Sequence, residues 1–386
     1  MSIVCLCFLG GLFYVILNTM KDFEITARCG KARAGTLVTP HGVIETPVFM
    51  PVGTQASIKG VPHDMLNCPV ILSNAYYLYL KPGFEILKNF GGLHKFMNWN
   101  NAILTDSGGF QIFSLSSLFK IRKNGVEFRS KFDGSKHFLT PEEAVSFQFE
   151  IGSDMVMSLD RCMKYPSHRA DINRAVDTTC SWAEKGLNAS KRYETGQKLF
   201  AITQGGTFSD MRRECTERLM EHPFFGFAVG GLGVGEPLGL RQQHLAENLD
   251  MLPEDKPRYV MGMGPAPEIW DTVEMGADMM DCVLPTRNGR NAQAFTFSGK
   301  LNLRNNRFRN DPLPIDPSCG CAACSRYSRG YIHHLFNVRE MLAQTLTSLH
   351  NISFMIDLTL VIQNSIKNGT FPEEKKKFMK NWKGGN

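Results

Sequence analysis

Eight short apolar runs recur along this 386-residue chain, at 46–52, 70–74, 102–106, 155–160, 200–204, 227–231, 259–262 and 279–281. Most end on Gly, Asn, Asp or Gln. Runs without polar alternation fit strands buried on both faces, as in parallel sheets. Helix-type spacing lies between them, at 170–192 and 209–221, and Thr140-Pro141-Glu142-Glu143 reads as an N-cap with Pro at the first helical position. Eight strand–helix repeats predict an α/β fold, a (β/α)8 TIM barrel with insertions. The polar residues closing the runs fall where barrel enzymes keep their chemistry. A doubly wound open sheet is the alternative, but no Gly-x-Gly-x-x-Gly turn opens the first helix. Beyond about residue 300 the rhythm stops. We therefore expect an apolar extension over 1–19, a catalytic barrel over 20–300, and a zinc-binding subdomain with C-terminal helices packing on the barrel over 301–386.

Composition narrows this. With 43% hydrophobic residues the chain can bury a large core, and a net charge of +6 is mild, so any nucleic-acid site must be a local patch. Basic residues cluster at Arg287, Arg290, Lys300, Arg304, Arg307 and Arg309. A second cluster, Lys375, Lys376, Lys377, Lys380 and Lys383, reads as a solvated tail. Ile3–Leu17 is almost purely apolar, lacks a positive leader and is short for a membrane span. The expectation is an over-extended start with Met20 as initiator; an interfacial anchor is the alternative.

Eleven cysteines, mostly scattered, do not make a disulfide framework and point to a reducing, cytoplasmic compartment. Three are clustered as Cys319-x-Cys321-x-x-Cys324, with His333, His334 and His350 downstream. Three thiolates and one imidazole make a closed tetrahedral zinc site of the structural kind, and spacing leaves the histidine open. Elsewhere, Asp281 closes a strand run, Pro285 is expected to stop regular structure, and Arg287 and Arg290 follow in a turn-prone segment. A carboxylate beside guanidinium groups suits a nucleophile next to an anionic substrate. The run from Gly230 to Glu236 is glycine-rich but lacks the Lys-Ser/Thr of a phosphate loop. It reads as close approach to a flat ligand or as a tight turn.

Several motifs then coincide in order: Thr105-Asp106-Ser107-Gly108-Gly109-Phe110-Gln111, Gln204-Gly205-Gly206, Val229-Gly230-Gly231-Leu232, and Asp281-Cys282-Val283-Leu284-Pro285-Thr286-Arg287. With the cysteine cluster and a distant His-Asn pair, the chain resembles tRNA-guanine transglycosylases over about residues 22–380. The resemblance implies a pentosyltransferase that exchanges guanine at the wobble position of tRNAs with GUN anticodons. Those are the tRNAs for aspartate, asparagine, histidine and tyrosine. The incoming base is a 7-deazaguanine, either the 7-aminomethyl precursor or queuine. The resemblance places the nucleophile on Asp281 and the general acid/base on Asp106. Base contacts fall on Asp106, Ser107, Gly108, Gly109, Phe110, Asp160, Gln204, Gly230, Gly231, Leu232, Gly233 and Met261. RNA contacts fall on Gly262, Met263, Gly264, Pro265, Ala266, Pro267 and Glu268, and on Thr286, Arg287, Asn288, Gly289 and Arg290. One structural zinc per subunit falls on Cys319, Cys321, Cys324 and His350. Bacterial members act as homodimers, and no redox cofactor or membrane partner is implied.

The chemistry is consistent with these roles. Swapping one base for another with retained configuration suits two displacements, one carboxylate attacking the anomeric carbon while another handles the proton. A flipped-out base needs a stacking face and edge hydrogen bonds, which Phe110, Asp160, Gln204 and Gly231 could supply. Three positions depart from bacterial relatives: Arg161 stands where Glu is common, Tyr77 where His is common, and Gly233 where Ala is common. Gly233 removes a methyl where the 7-substituent would lie, so the pocket is expected to admit queuine. A non-catalytic tRNA-binding subunit is the competing reading, but such a chain would be expected to lose catalytic carboxylates, and Asp106 and Asp281 are both kept.

Overall fold

The computed structural model describes residues 21–115 and 118–382. The apolar 1–19 segment, Met20 and Lys383 of the terminal basic cluster lie outside the described residues. Eight strands form one sheet: β1 (Val48–Pro51), β2 (Val70–Asn74), β3 (Ala102–Asp106), β4 (Met155–Met157), β5 (Lys198–Thr203), β6 (Gly226–Val229), β7 (Arg258–Val260) and β8 (Met279–Cys282). All pairings are parallel and run in sequence order, with β8 against β1. A parallel bridge between Val52 and Leu72, with Gly53 N donating to the Leu72 carbonyl at 2.7 Å, closes the ring. The fold is a (β/α)8 barrel, and the open-sheet alternative is excluded.

The strands are apolar throughout because both faces are covered. Val70 and Leu72, Ala102 and Leu104, Met155 and Met157, Phe200 and Ile202 point into the barrel. Ile71 and Ile103 point outward against a separate cluster with Leu78, Leu87 and Leu93. The Pro141–Glu150 helix starts at the predicted Thr140 N-cap, which is completed as a capping box, with Thr140 and Glu143 each satisfying the other's backbone N–H. The two long helical patterns appear as Arg169–Ser190 and Ser209–Met220.

Three short antiparallel units interrupt or flank the repeat. Strands Phe23–Cys29, Ala32–Thr39 and Gly42–Thr46 form a sheet whose Phe23, Leu37 and Ile44 plug the N-terminal end of the barrel. Strands Phe119–Arg122, Gly125–Arg129 and Lys136–Leu139 form an insertion after β3. Gln293–Thr296 and Gly299–Asn302 form a hairpin after β8. The hydrophobic pattern did not separate these from loops.

One expectation is corrected. Pro285 does not stop regular structure: it sits in the first turn of a helix over Leu284–Arg290. Pro has no N–H to lose there, and its fixed φ suits a helix start. Arg287 and Arg290 therefore ride on a helix, three residues apart and on one side. The C-terminal region is dominated by the Met341–Lys367 helix. It is long and apolar enough by composition to cross a membrane, yet most of its side chains are buried against the rest of the chain. Its Gln363 donates to the carbonyls of Glu45 and Pro47, and its Asn351 to those of Pro285 and Gln293.

Candidate active site and metal-binding cluster

The C-terminal ends of β3, β4, β5, β7 and β8 bring four polar groups of the sequence reading together. Asp106 ends β3. Its Oδ2 accepts from Asn74 Nδ2 at 2.6 Å, and its Oδ1 from the Gly108 and Ala75 amides at 3.2 and 3.3 Å. Burial pushes its carboxyl up to about 7; these hydrogen bonds oppose the shift, and the charge of Asp281 adds to it. A group with that pKa can both give and take a proton near neutrality. Asp281 lies on the inward phase of β8. One of its oxygens accepts from the Tyr259 hydroxyl and from Gly262 N at 2.8 Å. Burial raises its pKa, and those two donors pull it back. Its other oxygen has no protein donor among the described residues.

Asp160 is buried beyond β4. Ser107 Oγ donates to its Oδ1 at 2.9 Å and Gln204 Nε2 to its Oδ2 at 2.6 Å. Glycines make this closeness possible. A Cβ on Gly109 would fall 2.0 Å from Asp160 Oδ1, and one on Gly231, which has φ +65°, would fall 2.2 Å from Gln204 Oε1. Gly230 likewise packs on Ile202 and Gln204. Phe110 is exposed at the start of the Gly109–Ser114 helix, while Leu232 and Met261 are half-buried nearby in sequence to Gly231 and Gly262. Gly233 is exposed with φ +75°, and a Cβ there would meet nothing nearer than Arg241 Nη1 at 4.0 Å.

The predicted RNA-contacting segments divide by exposure. Gly262, Arg287, Asn288 and Arg290 reach the surface, as do Pro265, Pro267 and Glu268 in part. Glu268 is held by an ion pair with Arg241. Met263, Gly264, Ala266, Thr286 and Gly289 are buried and shape the segment from beneath. Met263 and Ala266 belong to the core outside the barrel. Gly289 presses against Ser348 of the long helix, where a Cβ would meet backbone at 2.7 Å. Arg287 and Arg290 have no carboxylate partner among the described residues, and burial together with the Arg287 charge lowers the pKa of Arg290.

Three participants carry no motif signature. Asn74 holds Asp106, and Tyr259 holds Asp281. Tyr259 and Asp281 share the inward phase on adjacent strands, a parity legible once the strands are paired. The third is Arg212, fully buried on the Ser209–Met220 helix. Its Nε donates to the Gly206 carbonyl at 2.6 Å and its Nη2 to that of Gly230 at 3.0 Å. One guanidinium thus ties the Gln204 loop to the Gly231 loop, and burial lowers its pKa to about 10. Of the departures noted in the sequence, Tyr77 lies under the Lys131 ammonium at 4.0 Å. Arg161 donates its backbone N–H to Thr179 Oγ1, while its Nε is buried without a partner.

Cys319, Cys321, Cys324 and His350 place all their ligand atoms within 4.8 Å of one another. His350 Nδ1 lies 3.2 Å from Cys324 Sγ and 3.8 Å from Cys321 Sγ. Zinc–sulfur and zinc–nitrogen bonds of about 2.3 and 2.05 Å imply a tetrahedral S···N edge of roughly 3.6 Å. The four side chains therefore could hold a metal ion. His350 Nε2 faces the Phe295 carbonyl at 2.6 Å, an outer contact that would leave Nδ1 free to ligate. His333 is occupied by the Leu303 carbonyl and Asn337, and His334 is exposed. A second group, His41, His94 and Asp154, also converges. Its imidazoles stack at 3.6 Å, nearly parallel. No single ion can lie in both ring planes, so this group is a hydrogen-bonded triad.

Fold and site define a barrel protein with two half-buried carboxylates, Asp106 and Asp281, close enough at its C-terminal mouth for their charges to interact, beside the hydrogen-bonded Ser107–Asp160–Gln204 group. Comparison with known proteins agrees. Residues 28–384 match the sequence profile of the queuine tRNA-ribosyltransferase family. A queuine tRNA-ribosyltransferase of Caldanaerobacter subterraneus subsp. tengcongensis is 51% identical over 92% of this chain and 95% of its own length. Those of Thermoanaerobacter sp. strain X514 and Koribacter versatilis are 50% and 47% identical, over 91% and 89% of this chain and 94% of each relative. The chain belongs to the queuine tRNA-ribosyltransferase family.

Proposed function

We propose that this protein exchanges guanine at the wobble position of GUN-anticodon tRNAs for a 7-deazaguanine base, in queuosine synthesis. The reaction proceeds by two displacements. A carboxylate oxygen of Asp281 attacks the ribose anomeric carbon, the glycosidic bond breaks, and its electron pair leaves with guanine as Asp106 delivers a proton. Asp106, now a carboxylate, takes a proton from the incoming base, which attacks the same carbon and expels Asp281. Configuration is retained because each displacement inverts it. The observation that carries this reading is the pair of unlike carboxylates. Asp106 sits near neutrality, and Asp281 keeps one oxygen free while Tyr259 and Gly262 hold the other.

Asp160, Gln204, Ser107 and the Gly230–Gly231 backbone read the base edge, and Phe110 stacks on its face. The exposed Arg287, Asn288 and Arg290, with the 262–268 segment, meet the RNA. Gly233 leaves room for a large 7-substituent, which favours queuine alongside the aminomethyl precursor; their relative incorporation by wild type and Gly233→Ala tests that preference. Cys319, Cys321, Cys324 and His350 hold one structural zinc, with 20–300 as the catalytic barrel and 301–386 as the zinc-binding subdomain. The protein works in the cytoplasm, as a homodimer in keeping with its bacterial relatives. Labelled-guanine exchange into tRNA, with Asp281→Asn as control, tests the function. A covalent RNA adduct is expected with wild type alone. Equal exchange by the folded Asn variant would defeat the mechanism.

A further inference from the structure

The insertion after β3 is a basic, largely exposed segment near the site, and no motif accounts for it. Residues 119–139 hold six Lys or Arg against two acidic residues, Glu127 and Asp133. The three strands alternate cleanly. Ile121, Val126 and Phe128 face inward. Lys120, Arg122, Glu127, Arg129, Lys136 and the exposed Phe138 face outward. Only Arg122 finds a carboxylate, that of Glu127. Lys120, Arg129, Lys131 and Lys136 pair with no acidic group among the described residues. Arg129 stands directly opposite Lys136 across the ladder. Like charges at that spacing destabilise a sheet.

The platform is attached to the catalytic mouth. The Tyr76 ring packs on Phe119 and Phe128 at 5.5 Å, and its Cβ sits against Gly108 of the Asp106 motif. Asn74, which holds Asp106, lies two residues earlier. At the other edge, Lys131 lies over Tyr77 and Phe132, and Lys81 lies over Phe132 at 4.7 Å. Unpaired cations interleaved with exposed aromatic rings suit a polyanion with unstacked bases.

We propose that the outward face of the 119–139 sheet, with the Lys131–Phe132 turn, is a second tRNA-docking surface that grips the anticodon arm away from the bond being exchanged. This rests on the transglycosylase reading and extends it beyond the Arg287–Arg290 helix. The test uses full-length protein with Lys120→Ala, Arg129→Ala and Lys136→Ala combined, assayed for tRNA binding by fluorescence anisotropy across salt concentrations and for base exchange. Binding should weaken about tenfold or more at moderate salt, and the salt slope should fall by roughly 2 to 3, one phosphate per cation lost. The KM for the free base should not move. The charge-preserving set Lys120→Arg, Arg129→Lys and Lys136→Arg should keep both affinity and slope. Unchanged tRNA affinity and slope in the Ala set would overturn the proposal. So would equal weakening in the charge-preserving set. If wild type bound tRNA with the expected slope but exchanged no base, the proposed reaction would fail while this surface stood.

Discussion

The two ends of the barrel both bury carboxylates, and they give them different partners. At the N-terminal end each has cationic or imidazole partners. Asp278, preceding β8, receives the Arg33 fork, with Nε at 2.8 Å, and the Arg258 amide at 2.7 Å. Asp154, preceding β4, receives His41, His94 and the Ile103 amide. Burial pushes Asp154 up, but the two histidines outweigh it and its pKa is lowered. At the C-terminal end Asp106, Asp160 and Asp281 have only neutral donors, and burial raises all three, as it raises Asp278 against the pull of Arg33. One end is arranged for stability, the other accepts instability for chemistry.

The largest effect that could break this contrast is in Arg33. Arg33→Ala leaves Asp278 buried without its partner, and should cost about 3–5 kcal/mol in chemical denaturation while base exchange per folded molecule is kept. Loss of exchange at unchanged stability would show that the lower end is not purely structural. Next comes Arg212, which serves the upper end without touching the base. Arg212→Lys cannot bridge the Gly206 and Gly230 carbonyls together. Steady-state kinetics should show the KM for the base raised about tenfold or more, with a smaller change in kcat.

Asp106→Asn should abolish exchange yet stabilise the fold. A carboxyl whose folded pKa is raised above its unfolded value destabilises the folded state increasingly as pH climbs from about 4 to about 7. The melting-temperature gain of the Asn variant should therefore be greatest at pH 8 and vanish towards pH 4. The smallest effect belongs to His41, whose pKa is raised mainly by its hydrogen bond to Asp154. That contribution is full below about 6.5 and is lost as pH rises through the higher folded value. Since His41 is partly exposed, His41→Ala should cost less than about 1 kcal/mol, more at pH 6 than at pH 8. A constant difference across that range would show that the His41–Asp154 hydrogen bond does not contribute to stability.

What could be read without coordinates was what short-range chemistry encodes. Strands buried on both faces must be apolar throughout, so eight runs announced eight barrel strands and their order. Thr140 and Pro141 marked a helix start because capping is local. Asp106, Asp160, Gln204, Gly231 and Asp281 were legible as chemistry at strand ends because that is where a barrel opens. The tertiary structure alone decided the remainder. It placed Pro285 inside a helix, and put Tyr259 on Asp281 and Arg212 between two loops. It also set Asp106 near neutrality while Asp154, equally apolar in sequence surroundings, went the other way. The physical reason is that these outcomes depend on burial and on partners tens to hundreds of residues away along the chain. Only the closed barrel brings those partners within hydrogen-bonding distance.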